Sequence, residues 1–339
     1  MRPGNVRLVA GVGMLTLLGT ALAGCGGRQD NVATDDTSTE VTCEVTADTR
    51  LGIATGNATG VYYVVGNALA TQLPGATGGK VTATAAETGA SVQNIEQLVA
   101  GKYDIAFSLF DTATDAAQGK GSFGSPQPVQ ALARIYDNYT QVIVRADAGI
   151  ESVADMKGKR ISTGSPKSGT EVIANRLLQA AGLDPAADIK AQRLDLTKTV
   201  DGMKDGTIDG FFWSGGIPTG GVTDLFTTQG DKVKFIDITP LLPKMNEINT
   251  AYQTGTIGKD VYGTPADVAT IVVPNVLLVR ENLDANVACA VTKALFEKKD
   301  ELAKANAAAG GISLETADKT DPVAVHRGAR KALDDLFAG

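Results

Sequence analysis

Three segments of the chain combine glycines with small hydroxyl or amide side chains, and each lies directly before a predicted helix. They are residues 54–63, 88–91 and 164–171. The first turn of a helix leaves backbone N–H groups without intrahelical partners, and the helix dipole adds a partial positive charge there. Glycines allow a bound group to approach this backbone closely. The pattern therefore predicts an anion-binding site that needs few Lys or Arg side chains.

Each segment taken alone also fits an ordinary helix cap with a glycine turn. Ser168 and Glu171 have the spacing of a capping box, in which both side chains bond to the helix backbone. Residues 54–63 do not form a nucleotide-binding loop, because neither Lys-Ser nor Lys-Thr follows the second glycine. The repetition of the arrangement favours ligand binding over three unrelated caps.

Residues that could perform catalysis are scarce. His326 is the single histidine, and we expect it to face solvent in a helical tail rich in Ala and Arg. This leaves neither a zinc site nor a Ser-His-Asp triad. A carboxylate pair for glycoside hydrolysis stays open, although the aromatic content of 5%, with one tryptophan, disfavours sugar stacking. We therefore predict a non-enzyme with no catalytic residue, metal or cofactor, and an extracytoplasmic hydrolase is the alternative.

The elements that must position these segments alternate between apolar β-type runs and amphipathic helices, which predicts an α/β layered fold. Asp104 and Asp209 occupy matching positions before apolar strands, and we expect each to tie a turn through hydrogen bonds to the backbone. This repetition indicates two lobes built on one plan. Asp111 and residues 213–216 follow those strands, where open α/β sheets present ligand contacts. The composition of residues 239–264, rich in Pro, Asn, Thr and Gly, predicts a long surface connection.

The predicted strands are residues 50–54, 81–86, 104–108, 129–136, 140–144, 160–162, 190–194, 210–213, 234–237, 269–273 and 276–280. The predicted helices are residues 60–72, 91–100, 152–156, 170–181, 198–205 and 220–227, with a long helical region from residue 282 to the C-terminus.

The first 24 residues are typical of an export signal, with Arg2 and Arg7 before an apolar run that is short for a membrane span. Residues 22–25, Leu-Ala-Gly-Cys, resemble the lipobox of bacterial lipoproteins. The resemblance implies cleavage before Cys25 and a lipid on its thiol; an ordinary signal with an incidental cysteine is the alternative. Residues 25–48 contain almost no large apolar side chain, so we expect a flexible tether.

Charge and cysteine content restrict the partners. The formal net charge is −7, and loss of the signal removes two arginines, so we do not expect nucleic acid as a partner. Lipidation of Cys25 leaves Cys43 and Cys289, which an exported protein can keep as a disulfide. Two unrelated thiols are the alternative, because sequence does not show whether these residues approach each other.

Short motifs occur in a fixed order across residues 51–296, namely residues 55–56, 59–63, 88–94, 104–106, 155–160, 164–171 and 215–218. In their order and spacing they resemble the TAXI group of solute receptors, which serve TRAP transporters. The resemblance implies a two-lobed α/β periplasmic-binding-protein fold (Venus-flytrap, type II-like), with two chain crossings and the ligand in the cleft between the lobes. It also implies that an integral membrane permease, driven by an ion gradient, receives the ligand. Several members of this group bind glutamate, glutamine or dicarboxylates, so the resemblance implies a small anionic or zwitterionic solute.

The chain departs from the family pattern at Ala54, Asn57, Val64, Ala90 and Lys167. Glycine is usual at the first and the last two of these positions, serine at the second and proline at the third. These departures bear on the identity of the ligand and not on the fold. Lys167 is either an added cation near the cleft or an exposed loop lysine. The candidate ligand contacts are Thr55, Gly56, Asn57, Thr59, Gly60, Tyr62, Thr88, Gly89, Ser91, Asp111, Ser165, Ser168, Gly169, Thr170 and Gly216.

We expect lobe 1 to comprise residues 49–137 and 265–339, and lobe 2 to comprise residues 138–264. Ligand binding would close the lobes about hinges near residues 137–140 and 262–269. We expect a monomer outside the cell membrane, anchored only through the lipid on Cys25. A lipoprotein that senses a ligand and signals to a membrane kinase is a second alternative.

Overall fold

The computed structural model describes residues 37–338. The expectations for the export signal, for Cys25 and for residues 25–36 lie outside this range. No helix within it combines the length and the apolar character that a membrane crossing requires.

The strands are β1 (Thr49–Ala54), β2 (Val81–Ala86), β3 (Ile105–Leu109), β4 (Val129–Arg145), β5 (Arg160–Ser162), β6 (Lys190–Gln192), β7 (Gly210–Gly215), β8 (Val233–Phe235), β9 (Gln253–Ile257) and β10 (Val268–Arg280). The α-helices are α1 (Val61–Ala76), α2 (Ser91–Val99), α3 (Phe110–Gln118), α4 (Gly169–Ala180), α5 (Leu196–Lys204), α6 (Gly220–Gln229), α7 (Leu242–Ile248), α8 (Lys259–Tyr262), α9 (Ala285–Glu297), α10 (Lys299–Ala305), α11 (Leu314–Ala317) and α12 (Arg327–Ala338).

The strands of the described chain form one sheet in the order β2-β1-β3-β10-β4-β7-β5-β6, with β8 beside β4 and β9 beside β10. β1 is parallel to β2 and β3, and β5 is parallel to β6 and β7. Parallel neighbours need crossover connections, which the helices between these strands supply. The α/β class that the sequence predicted is therefore confirmed.

Strands β1 to β3 form a first parallel unit, and strands β5 to β7 form a second. Two long antiparallel strands, β4 and β10, join these two parallel units. β4 and β10 pair with each other. β10 also pairs with β3 of the first unit and with β9, and β4 also pairs with β7 of the second unit. The sequence predicted two shorter strands in place of each, and this was wrong. Proline within a strand removes a ladder hydrogen bond, but a register shift between Pro274 and Val276 accommodates it and the strand continues.

The helices cover the sheet with apolar faces. In α1, Val65, Leu69 and Leu73 recur every fourth residue and are fully buried. Burial of each such side chain contributes about 1.5–3 kcal/mol. α1 packs against β2 and α9, and α12 packs on α9. The C-terminal part of the chain therefore completes the layer over the first parallel unit.

The predicted ties of Asp104 and Asp209 are confirmed. Asp104 Oδ2 accepts a hydrogen bond from the N–H of Gly52 on β1 at 2.7 Å. Asp209 Oδ2 accepts from the N–H of Arg160 on β5 at 2.8 Å, and its carboxylate also pairs with the Arg160 guanidinium. Each carboxylate thus joins two parallel strands at the same point of its own unit, which accounts for the matching sequence positions.

The sequence predicted a long surface connection over residues 239–264, and this was wrong. These residues contain the 3₁₀ helix Thr239–Leu241, followed by α7, β9 and α8. Pro243 lies in the first turn of α7, where a missing N–H costs nothing. Met245 and Tyr252 are buried. Proline here starts a helix and does not mark a loop.

His326 does not face solvent, so that expectation was wrong. Its side chain is fully buried, and Nδ1 accepts a hydrogen bond from the N–H of Gly328 at 3.1 Å. Its own N–H donates to the carbonyl of Ala131 on β4. The C-terminal region is a set of shorter helices and not one long helix, and the turn before α12 brings the imidazole against the sheet.

Cys43 and Cys289 form a disulfide with a Cα–Cα distance of 5.1 Å, which is the first of the two alternatives for these cysteines. Asn286 Oδ1 also accepts hydrogen bonds from the N–H groups of Thr42 and Cys43, at 2.8 and 3.0 Å. The end of the segment expected to be a tether is therefore attached to α9.

Candidate ligand-binding site

A small cavity lies between the two parallel units, next to Asn138 in the middle of β4. Its volume is about 30 Å³, which is room for roughly two water molecules. A larger guest therefore needs the two units to move apart. Among the predicted contacts, the cavity is lined by Gly56, Asn57, Gly60, Tyr62, Gly89, Ser91, Ser165, Ser168, Gly169, Thr170 and Gly216.

Three helix N-termini converge on this cavity. Gly60, Ala90 and Ser168 are the residues directly before α1, α2 and α4, and all three line it. Ser168 also caps its own helix by accepting from the N–H of Glu171 at 2.9 Å, so the capping interpretation holds for that side chain. None of the lining residues is Lys, Arg, His, Asp or Glu. The N-terminal backbone amides of these helices are therefore the groups at the cavity that can attract an anion.

Four predicted contacts do not line the cavity. The Thr55 hydroxyl donates to the carbonyl of Ala86 on β2 at 2.6 Å, and the Thr88 hydroxyl donates to Asn94 Oδ1 at 2.6 Å. Thr59 is exposed. Asp111 is fully buried in an ion pair described below. The three hydroxyl side chains share the glycine-rich segments with lining residues, but they either support the backbone or point away.

Other residues complete the lining. Trp213, Ser214 and Gly215 line it from the end of β7, the place where the fold class leads one to expect ligand contacts. Four further residues line the cavity, namely Val61, Ala90, Leu109 and Asn138. Two of them, Val61 and Ala90, lie in segments that the sequence predicted to face the ligand, although neither was named as a contact. The other two were missed, because an apolar side chain and a polar residue inside a long strand carry no local signal of a binding site.

The two units contact each other directly around the cavity. Asn57, after β1, donates from Nδ2 to the Ser165 hydroxyl at 3.2 Å, and its Oδ1 accepts from the N–H of Leu196 at 3.1 Å. The N–H of Gln93 donates to the carbonyl of Lys167 at 3.0 Å. The Lys167 ammonium pairs with Glu96 of α2 at 2.7 Å and does not line the cavity. The structure is thus a closed arrangement.

Ala90 and Lys167 have backbone torsions that favour glycine, with φ of 78° and 61°. Ala90 combines this φ with ψ of −151°, a region that is essentially restricted to glycine and costs about 1–3 kcal/mol for other residues. Tertiary contacts around the cavity therefore hold these two residues in an unfavourable conformation.

A buried ionic cluster joins α3 to α4. The Arg176 guanidinium lies 2.9 Å from Asp111 and 2.5 Å from Asp115, and it donates to the Tyr252 hydroxyl at 2.8 Å. Tyr252 in turn donates to Asp111 at 2.5 Å. Burial raises the pKa of Asp115, against the opposing effect of Arg176, and burial also raises the pKa of Tyr252. The Asp111 carboxylate therefore holds the two units together and does not face the cavity.

Within residues 37–338, no group of three or more His, Cys, Asp or Glu side chains is arranged to hold a metal ion. The polar groups at the cavity are hydroxyls, carboxamides and backbone amides. This set can bind carboxylates and N–H groups through hydrogen bonds.

The sequence profile of the NMT1-like family matches residues 53–335. The chain belongs to the NMT1-like family. This match extends across the cavity-lining segments and both long strands.

Solved structures show the fold of this NMT1-like chain. A protein from Bordetella bronchiseptica RB50 has a TM-score of 0.55 and 20% identity, covering 86% of this chain and 98% of that one. The binding-protein component of an ABC phosphonate transporter from Pseudomonas aeruginosa has a TM-score of 0.52 and 16% identity, covering 85% and 95%. Tv2483, bound to L-arginine, has a TM-score of 0.50 and 13% identity, covering 79% and 92%. The predicted two-lobed periplasmic-binding-protein fold is therefore confirmed.

Proposed function

We propose that this protein is an extracytoplasmic solute-binding receptor that captures a small anionic or zwitterionic solute, of the glutamate, glutamine or dicarboxylate type. The observation that carries the proposal is the convergence of three helix N-termini on a neutral cavity between the two units. Free amides at helix N-termini bind carboxylates without a cationic side chain. The absence of acidic side chains from the lining fits the same class of ligand.

Capture would proceed by closure of two lobes. Lobe 2 would begin within β4 near Asn138, and lobe 1 would resume within β10. We propose Pro274–Val276 for this second crossing, in place of residues 262–269, because the first half of β10 pairs with β9. Contacts such as those of Asn57 with Ser165 and Leu196 exist only when the lobes meet. A ligand that bonds to both lobes therefore shifts the population toward the closed state.

Binding of a solute panel tests this function. The mature chain, without its signal, is titrated with L-glutamate, L-glutamine, glutarate, 2-oxoglutarate and L-arginine. Trp213 is the single tryptophan and lines the cavity, so its fluorescence should change with saturable binding. Calorimetry supplies an independent affinity. Saturable binding of an anionic or zwitterionic member without turnover supports a receptor, whereas chemical conversion of a bound member supports the hydrolase alternative. Failure of every member to bind contradicts the proposal.

We further propose that the partner is a TRAP-type permease, as the TAXI resemblance implies. Solute uptake by cells that express the receptor and its permease should then stop when an ionophore collapses the ion gradient, and should survive depletion of ATP. The opposite pattern indicates an ABC-type partner. Dependence on neither energy source, together with a change in kinase signalling, indicates the ligand-sensing alternative.

We propose that a lipid on Cys25 holds the receptor at the outer face of the cell membrane, as a monomer. The Cys25→Ser variant should lose incorporation of a labelled fatty acid and should leave the membrane fraction. Two acyl chains suffice for stable attachment, whereas an unlipidated protein has no such anchor. Membrane association that is unchanged in Cys25→Ser contradicts this anchor.

A further inference from the structure

Four buried polar side chains form a chain of hydrogen bonds where the two long strands run side by side behind the cavity. Asn138 lies on β4, Asn275 on β10, Tyr62 on α1 and Ser214 on β7. All four are buried, and Tyr62, Asn138 and Ser214 line the cavity. The chain therefore extends from one unit to the other through both crossing strands.

One backbone group determines the direction of every bond in this chain. The carbonyl of Tyr136 accepts a hydrogen bond from Asn275 Nδ2 at 2.8 Å. A carbonyl oxygen can only accept, so the amide nitrogen of Asn275 must face it. Asn275 Oδ1 then accepts from the Tyr62 hydroxyl at 2.5 Å and from Asn138 Nδ2 at 3.2 Å. Asn138 Oδ1 is left to face Ser214, whose hydroxyl donates to it.

The hydroxyl protons of Tyr62 and Ser214 are thereby committed to carboxamide oxygens. Burial raises the pKa of Tyr62 well above its ordinary value, so the phenol keeps its proton. Ser214 Oγ therefore offers the cavity lone pairs and no proton, and Asn138 retains one N–H beyond the bond to Asn275.

We propose that this chain of bonds makes the site selective for solutes that carry an N–H donor as well as a carboxylate. Ser214 is the ligand contact, and Asn138 and Asn275 are positioning residues that act through it. The carboxylate binds at the helix amides, and the N–H group donates to Ser214. A carboxylate oxygen placed against Ser214 Oγ in place of the N–H group would face the lone pairs of that oxygen, which is unfavourable. The inference rests on the proposed function and selects among its ligands.

Paired ligands test the selectivity. L-glutamate and glutarate differ only by the amino group, and the mature protein is titrated with both by calorimetry. We expect glutamate to bind at least about tenfold more tightly than glutarate, as one charge-assisted hydrogen bond implies. Equal or tighter binding of glutarate overturns the selectivity and leaves the receptor function standing. Binding of neither ligand, nor of glutamine or 2-oxoglutarate, removes the proposed function and this inference with it.

Two variants test the role of the bond chain. Ser214→Ala removes the acceptor, so we expect weaker glutamate binding by about tenfold with glutarate binding nearly unchanged. Asn138→Leu removes the group that holds the Ser214 proton, so the hydroxyl becomes free to donate and the glutamate-to-glutarate affinity ratio falls toward one. A purely structural role would weaken both ligands equally, and an unchanged ratio in both variants overturns the proposal. If Asn138→Leu does not fold by circular dichroism, Ser214→Ala decides alone.

The matched control is Tyr63→Phe. Tyr63 lies next to Tyr62 on α1 but does not line the cavity. Loss of its hydroxyl should leave both affinities and their ratio within error. A change in the ratio in this control overturns the assignment of selectivity to the Ser214 bond chain.

Discussion

Replacement of Arg176 with Met tests the buried ionic cluster between α3 and α4. The side chain of Arg176 is 10% exposed, and that of Asp111 is fully buried. Removal of one partner from a buried ion pair costs about 3–5 kcal/mol, because a charge remains without compensation. Asp111 would keep the Tyr252 hydroxyl and the N–H of Thr112 as donors, whereas Asp115 would lose its ion pair. We therefore expect a loss near the lower end, about 3 kcal/mol.

The assay is urea unfolding followed by Trp213 fluorescence. A loss of about 3 kcal/mol should lower the urea midpoint by about 1–3 M, given slopes of about 1–3 kcal/mol per molar. Arg330→Met is the matched control, because Arg330 pairs with Asp318 at 3.2 Å and the two side chains are 47% and 40% exposed. Exposed pairs contribute about 0–1 kcal/mol. Equal losses in the two variants would refute the reasoning.

The cost of Arg176→Met should also depend on pH. Burial raises the pKa of Asp115 in the folded protein. A carboxylic acid whose pKa is higher in the folded than in the unfolded protein binds protons on folding. Its contribution to the free energy of unfolding therefore increases as the pH falls toward its pKa in the unfolded protein. Without the guanidinium this increase should be larger. The stability gap between the variant and the unsubstituted protein should therefore narrow from pH 7.5 to pH 5, and a gap that widens contradicts this assignment.

Three further outcomes are expected. Ala90→Gly should raise the midpoint of thermal unfolding. Relief of backbone strain gains about 1–3 kcal/mol, which exceeds the entropic cost of about 0.5–1 kcal/mol for a glycine. A lower midpoint would show that Ala90 is not strained. Reduction of the Cys43–Cys289 disulfide, which links residues 246 positions apart, should cost about 2–5 kcal/mol in urea unfolding, and no change would mean that the bridge does not form. Thr170→Ala should weaken ligand binding by about 0.5–1.5 kcal/mol. Thr59→Ala should leave binding unchanged, because Thr59 lies outside the cavity. The reverse result would show that the ligand does not bind in this cavity.

The local features of the fold could be predicted from the sequence. Glycine and hydroxyl residues before α1, α2 and α4 indicated where helices begin, and capping chemistry depends only on neighbouring residues. Asp104 and Asp209 were assigned correctly because each carboxylate lies directly before an apolar strand. Long-range pairing could not be predicted in this way. The register shift at Pro274 depends on the partner strand, so the sequence suggested a break where β10 continues.

The candidate site shows the same division. Residues such as Asn57 and Gly169 were predicted to face a ligand because their segments open helices, and they do line one cavity. Asp111 was placed at the ligand because it follows β3, but the approach of Arg176 from α4 makes it part of an ion pair. Asn138 was missed, because a carboxamide in the middle of a strand has no distinctive sequence context.

By itself, the sequence determined the α/β class and the positions at which helices begin with backbone amides available to a ligand. It also determined that the loops before these helices consist of small, neutral residues. These properties follow from interactions between residues a few positions apart. Only the tertiary structure decided that three such helix starts share one cavity, that β4 and β10 cross between the two units, and that Tyr136 orients the hydrogen bonds of Asn275 and Asn138. The physical reason is that these contacts join residues far apart in the chain, and packing of the whole sheet determines which of them meet.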